Sequence, residues 1–248
     1  MKTTHYTRIS YVIMALTALI FTACKDKTNT TPDTKFYAKV MLYHGATDAV
    51  AMHLKLDDVA KTVDSLIYTK VTPYYETELT AGKKTKIGVF STKTGALPVY
   101  LDSLLLLNTT TNVTYSIFTY QDNDVPKTVR AFITTDNLIP PTAGKGRIRF
   151  VHLIPDISTS VDVETVATGT EATIRNDFAN LKFKDKTDFI DVVKGTYDVK
   201  IKEAGTKRVL FTAANIVLEE GKIYTLAARG YATGSTPRGT AITTILNK

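Results

Sequence analysis

His44 is followed four positions later by Asp48, and His152 by Asp156, so an imidazole and a carboxylate recur at one spacing in two parts of the chain. Such a pair is the beginning of a general base or of a metal site, but a base needs a nucleophile in reach and a metal needs further ligands. Side-chain parity points to structure instead. His44 shares a strand face with Val40 and Leu42, and His152 with Ile148 and Phe150, and both faces are apolar. A histidine that ends a buried strand satisfies its ring nitrogens with a turn aspartate or a backbone carbonyl. His44, Asp48, His152 and Asp156 therefore read as a structural turn motif, with no catalytic residue and no metal ligand among them.

No other pattern supplies a reaction. The sequence has no G-x-S-x-G elbow, no H-E-x-x-H helix and no phosphate-binding glycine loop. Glycoside hydrolysis needs only two carboxylates facing each other across a cleft, which sequence spacing neither reveals nor excludes. Asp64 and Asp102 each precede Ser-Leu, a string that resembles an O-glycosylation acceptor or recurs by chance. Asn108-Thr109-Thr110 and Asn112-Val113-Thr114 fit the N-glycosylation string. Thirteen tyrosines and no tryptophan leave Tyr37, Tyr43, Tyr74, Tyr75 and Tyr120 as the planar aromatics a sugar-binding face would use. Most tyrosines belong on pleated sheet surfaces; Tyr74-Tyr75, after Pro73 in a loop-like stretch, is the pair expected to be exposed.

The one cysteine, Cys24, carries a different chemistry. A short segment with Lys2 and Arg8 precedes an apolar run from Tyr11 to Phe21, then Thr22 and Ala23. The run is shorter than the roughly 18 apolar residues a membrane span needs and reads as a secretory signal. Ala18-Leu19-Ile20-Phe21-Thr22-Ala23-Cys24 resembles a bacterial lipoprotein lipobox, with Phe21 in place of the usual Leu. The resemblance implies cleavage after residue 23, acylation of Cys24 and attachment to membrane lipid. With no second cysteine to pair with, the mature chain has no internal disulfide, and its stability must come from apolar cores.

The elements that position these residues are strands. Removing residues 1–23 leaves 225, enough for two domains of about 100 residues each. Lys25 to Thr34 is polar and without hydrophobic period, so it reads as a tether. From Phe36 onward short segments rich in Val, Ile, Thr, Tyr and Phe alternate with turns. Thr196 to Lys202 shows the pattern: Tyr197, Val199 and Ile201 face one way, Asp198, Lys200 and Lys202 the other.

The strand-like region is a duplication. Val40-Met41-Leu42-Tyr43-His44 and Asp48 align with Ile148-Arg149-Phe150-Val151-His152 and Asp156. Gly82 and the strand Lys86 to Phe90 match Gly195 and Tyr197 to Ile201, Gly95 matches Gly205, and Val113 to Ile117 match Ile223 to Leu226 with Tyr115 over Tyr224. The expected organisation is a signal peptide 1–23, a lipidated tether 24–35, a β-sandwich domain 36–137, a linker 138–146 stiffened by Pro140-Pro141, and a second β-sandwich domain 147–248. The fold class is all-β: two tandem immunoglobulin-like antiparallel β-sandwich domains of Greek-key type. Each is expected to fold on its own. Gly221-Lys222-Ile223-Tyr224 resembles a tyrosine corner, with a plain core tyrosine as the alternative.

Val151-His152-Leu153-Ile154-Pro155-Asp156, Val161-Asp162-Val163, Val193-Lys194-Gly195-Thr196-Tyr197, Ala204-Gly205 and Gly221 to Leu226 resemble the domain of unknown function 4397. The resemblance implies a tandem, immunoglobulin-like sandwich in a bacterial envelope protein and carries over no catalytic residue. The first copy departs from the pattern, with Thr47 where the second has Pro155 and His53 about where Asp162 falls.

Composition narrows the partners. Lys and Arg number 31 against 24 Asp and Glu; without Lys2 and Arg8 the count is 29 against 24, a net +5. These cations are scattered beside acids, without the dense cluster that nucleic acid demands, so no nucleic acid partner is expected. The sequence thus describes an outer-membrane lipoprotein, periplasmic or surface-exposed, without cofactor. It is expected to be a non-enzymatic binding, adhesion or structural module with an envelope protein or glycan partner. The alternatives are an accessory glycan-binding protein of an uptake system and, last, a hydrolase.

Overall fold

Side-chain alternation sets the strands. In β14 (Gly195–Glu203) Tyr197, Val199 and Ile201 are buried while Asp198, Lys200 and Lys202 lie on the opposite face, where Lys202 and Lys200 reach Glu164 of β11 (Val161–Ala167) at 3.0 and 3.5 Å. The structure, a computed structural model, describes residues 35–62, 65–79, 85–91, 99–101, 106–107, 111–123, 128–169 and 174–248. The leader with Cys24, the tether, Asp64, Gly82, Gly95, Asp102 and Asn108 lie outside those residues.

Each repeat is a pair of sheets. In the first, β1 (Phe36–His44), β4 (Tyr75–Leu79), β6 (Val99–Leu101), β8 (Val113–Asp122) and β9 (Thr128–Thr135) make one sheet in the order β4-β1-β8-β9-β6. The other, in the order β3-β2-β5-β7, uses β2 (His53–Leu56), β3 (Val59–Ala60), β5 (Thr85–Phe90) and β7 (Leu106–Leu107). In the second repeat β10 (Lys145–His152), β13 (Ile190–Val193), β16 (Ile223–Arg229) and β17 (Ala241–Leu246) are ordered β13-β10-β16-β17. They face β12-β11-β14-β15, with β12 (Ile174–Leu181) and β15 (Val209–Leu218) at the edges.

The two repeats have one topology. The opening strand pairs in parallel with the penultimate strand, Val40 opposite Tyr115 in the first repeat and Ile148 opposite Tyr224 in the second, which is the alignment read from the sequence. Lettered A to H, each repeat places D-A-G-H on one sheet and C-B-E-F on the other, with β6 as an addition in the first. The sandwich architecture is the expected one, and the strand order within it is its own.

Each sandwich has an apolar core. Val40, Leu42, Leu54, Ile87 and Ile117 are among the residues filling the first, and Ile148, Phe150, Val163, Ile201 and Leu226 are among those filling the second. A third core lies between the repeats. Met41, Tyr43, Phe118 and Tyr120 pack there with Val151, Leu153, Ala227 and Ile245, all at most 1% exposed. The same sheet of each repeat thus faces the other, and β1, β8, β10 and β16 are buried on both sides. Lys35–Lys248 accordingly form one compact unit. The segment expected as linker 138–146 is tied down: β10 already opens at Lys145, Thr142 donates N–H and Oγ1–H to Asp191, and Arg147 Nη1 donates to the Ile139 carbonyl at 2.9 Å.

Candidate functional site

β10 ends in His152, fully buried, and the chain turns through Leu153 and Ile154 to reach Asp156. The imidazole does not meet that aspartate. Its Nδ1 accepts the Ile154 N–H at 3.3 Å, which puts the ring hydrogen on Nε2 beside the edge-on Phe183 ring. Burial holds its pKa down at about 4, the Asp185 carboxylate opposing the shift. Asp156 instead clamps the long β16–β17 loop, accepting from Ala232 N at 2.7 Å, Thr233 N at 3.2 Å and Thr233 Oγ1 at 3.1 Å. Asp162 does the same for two other segments, taking the Asn180 N–H at 2.8 Å and the Gly205 N–H at 2.9 Å. Asp156 and Asp162 of the motif are therefore anchors for backbone donors that loops would otherwise leave unpaired.

The first repeat repeats the arrangement and turns it outward. His44 is buried, places Nε2 3.0 Å from the Val50 carbonyl, and has its pKa lowered by burial, with that hydrogen bond opposing. Asp48 crosses to the second repeat: it accepts the Tyr231 hydroxyl at 2.8 Å and pairs with Arg238 at 3.2 Å. Burial and this carboxylate together raise the Tyr231 pKa. Asp48 and Asp156 thus grip one loop from two sides.

The clamped segments enclose a cleft of about 460 Å³ at the end of the second sandwich. Ser158 and Thr159 of the β10–β11 loop and Thr233 and Thr240 of the β16–β17 loop supply hydroxyls, while Leu210 and Phe211 of β15 supply apolar surface. Concave sites with an apolar wall and a few convergent polar groups are the usual form of small-ligand sites. Asp156 and Glu203 both line it; Asp156 is occupied by the loop, and Glu203 pairs with Arg208 at 3.3 Å. No group of three or more His, Cys, Asp or Glu that could hold a metal occurs among the described residues.

Tyr74 and Tyr75 are not the exposed pair expected. Both are half-buried: Tyr75 packs on the first core, and Tyr74 enters the seam between the repeats. The reason is a polar ring that spans the seam. Tyr74 Oη donates to Asp136 at 2.6 Å, Asp136 meets Arg149 at 2.7 Å, Arg149 Nε donates to Thr225 Oγ1 at 2.8 Å, Thr225 to Asn247 Oδ1 at 2.7 Å, and Asn247 Nδ2 returns to Tyr74 at 2.8 Å. Tyr43 and Tyr120 are buried in the third core, and Tyr43 Oη donates to Thr243 at 3.0 Å. Burial pushes the Tyr43 hydroxyl up to about 12. Tyr224 settles the two readings left open for it, since its buried ring brings the hydroxyl to accept the Glu219 N–H at 3.3 Å, as a tyrosine corner does.

Arg149 was the residue to notice in sequence. It stands between Ile148 and Phe150 at the position Met41 holds in the first copy, on the face opposite to both. A charge there requires a partner brought by another part of the chain.

Two sandwich repeats of one topology, joined along a buried seam and carrying paired histidine–aspartate turns, define an all-β tandem-repeat protein. The chain belongs to the family described as domain of unknown function (DUF4397), whose model matches it twice, over residues 38–164 and 157–246. The two matches overlap in the turn after β10 and the start of β11. A comparison with curated proteins finds no match to the chain.

Proposed function

We propose that this chain is a lipoprotein anchored in the outer membrane through acylated Cys24, and that it works as a non-enzymatic binding module whose loop-end cleft takes an envelope protein or a glycan. The observation that carries the reading is the commitment of the motif carboxylates. Asp156 holds backbone donors of the β16–β17 loop that walls the cleft, and Asp162 holds Gly205 in the β14–β15 turn and Asn180 in β12, so the pattern that runs through the repeat braces the sandwich end rather than supplying a reacting group. Rigid elements that present loops are the common design of binding sites.

A hydrolase is the second reading, favoured by one observation: two carboxylates, Asp156 and Glu203, line the same cleft. The experiment that tests both is a glycan array and a glycosidase screen of the purified chain, run beside a Ser158→Trp variant that fills the cleft. Binding that the variant loses at an unchanged melting temperature supports the module. Binding that survives moves the site elsewhere, and turnover abolished by Glu203→Gln replaces the binding reading with catalysis.

A further inference from the structure

On the flank of the seam, away from the loop-end cleft, a second cleft of about 540 Å³ opens between the repeats. The first repeat contributes Thr135 and Asn137, and the second contributes Arg149, Lys186, Asp188 and Phe189. What distinguishes it is the kind of group left unengaged. Arg149 is 2% exposed; its Nε is held by Thr225 and its Nη1 by Thr134 and Asp136, yet Nη2 is buried without a hydrogen-bond partner among the described residues. A buried guanidinium nitrogen with both hydrogens unmatched is rare in folded proteins and marks a position where an acceptor is missing.

The neighbouring polar groups are mostly exposed donors. The exposed Lys186 ammonium lies 5.1 Å from the centre of the Phe132 ring and pairs with no carboxylate among the described residues. Asn137 uses its Oδ1 on the Ile139 N–H, which leaves Nδ2 as a donor, and the Thr135 hydroxyl is exposed beside it. Asp188, also exposed, is the acidic member of the lining. Phe189, with its ring 4.5 Å from the Arg149 guanidinium, forms the apolar wall of the cleft. Donors on both sides of a partly desolvated cleft select a ligand rich in acceptors, and a charged acceptor most strongly.

We propose that the seam cleft is a binding site for a small molecule bearing an oxyanion, a carboxylate or a sulfate, whose oxygen reaches Arg149 Nη2 while Lys186 closes on it from the rim. The site joins residues of both repeats, so it exists only in the docked arrangement, and it is independent of whatever occupies the loop-end cleft. Its volume falls within the range of small-ligand sites, about 300–1,000 Å³. It therefore has room for an organic acid around the charged group.

The test is a titration of the purified chain with sodium acetate, sodium sulfate, glucuronate and glucose, followed by the guanidinium signals of ¹⁵N-labelled Arg149 and by calorimetry. At least one of the three anions is expected to move the Arg149 Nη signals, and glucose to leave them unmoved. Glucuronate binding more tightly than acetate or sulfate identifies an organic acid, whereas sulfate binding most tightly identifies a sulfate group. Lys186→Gln, a change at an exposed side chain that leaves the seam intact, is expected to weaken binding about tenfold, the loss of one charge-assisted contact. Arg149 signals unmoved by every anion, equal binding of glucose and glucuronate, or undiminished affinity in Lys186→Gln would each overturn the proposal.

Discussion

Arg149 and Asp136 meet at 2.7 Å across the seam, one from each repeat, with side chains 2% and 0% exposed. Tyr74, Ser116 and Thr134 also donate to that carboxylate, so Asp136 collects the polar contacts of its own repeat and presents them to one guanidinium. Removing one member leaves the other charge buried. Asp136→Leu is expected to cost about 3–5 kcal/mol, and Arg149→Met with Asp136→Leu much less than the sum of the two single changes. Urea unfolding of the four forms closes the cycle, and additive costs would show that the pair does not act as a unit.

Stability should fall as pH is lowered through the range set by His152. The unfolded ring takes its proton near 6.5, while burial delays protonation in the folded chain to about 4. Between those values the unfolded state binds more protons, so stability declines from about pH 6.5 downward and levels off below about 4. A shift of that size amounts to about 3 kcal/mol. His44 is lowered by burial as well and adds loss of the same sign. His152→Gln is expected to flatten the dependence between about pH 7.5 and 5, read as urea midpoints; an equally steep profile in the variant would assign the loss to other groups.

Each fragment, 36–137 or 147–248, keeps its own core but bares half of the third one, including Tyr43 and Phe118 on one side and Val151 and Ala227 on the other. Where the sequence led to independent domains, the seam leads to fragments that fold and then associate. Mixing the two should restore one complex in sedimentation, with a melting temperature above that of either. Phe118→Ala in the whole chain is expected to cost about 3–5 kcal/mol, and two fragments that stay monomeric when mixed would contradict the account.

Gly230 opens the clamped loop with φ of +91°, where a Cβ would strike the Gly239 carbonyl oxygen and lie 2.8 Å from that of Arg238. Gly230→Ala therefore strains the backbone and also drives the loop strands apart. A loss of about 2 kcal/mol or more is expected. The Ala232 and Thr233 amides, no longer held by Asp156, should exchange faster with solvent. Unchanged exchange there would show that the loop does not depend on the turn.

Replacement of Cys24 by Ser should release the protein from membranes or leave its leader uncleaved. Each buried CH₂ of an acyl chain contributes about 0.8 kcal/mol, so multiple acylation makes attachment nearly permanent. Fractionation of cells expressing each form decides it, and a processed variant that stays equally membrane-bound would refute the anchor.

The strands, the duplication and the inward direction of both histidines were legible because they rest on local pattern. Val40, Leu42 and His44 share a face whatever packs against it. The seam was not, because the alternation in Thr196 to Lys202 invited one wet face for every sheet. The continuous apolar runs Met41-Leu42-Tyr43 and Phe150-Val151 carried the contrary signal, that of strands buried on both sides. Tyr74 was misplaced for the same reason: Pro73 suggested a loop, and the partner that draws the ring inward, Asp136, lies 62 positions away in the chain. The aspartates were assigned to turns, yet their partners are backbone and side-chain groups of a loop 76 positions or more downstream, a pairing that no local spacing encodes.

The place of β1 in its sheet has a mechanical consequence. The chain enters the described structure through this strand, which is hydrogen-bonded along one edge to β4 and along the other to β8. A pull transmitted from the amino-terminal side along the strand axis loads both rows of hydrogen bonds together, in shear. An edge strand pulled the same way would slide past one neighbour, but β1 must slide past two while withdrawing Met41 and Tyr43 from the third core. The proposed anchor would thus load the protein through a strand held on both edges.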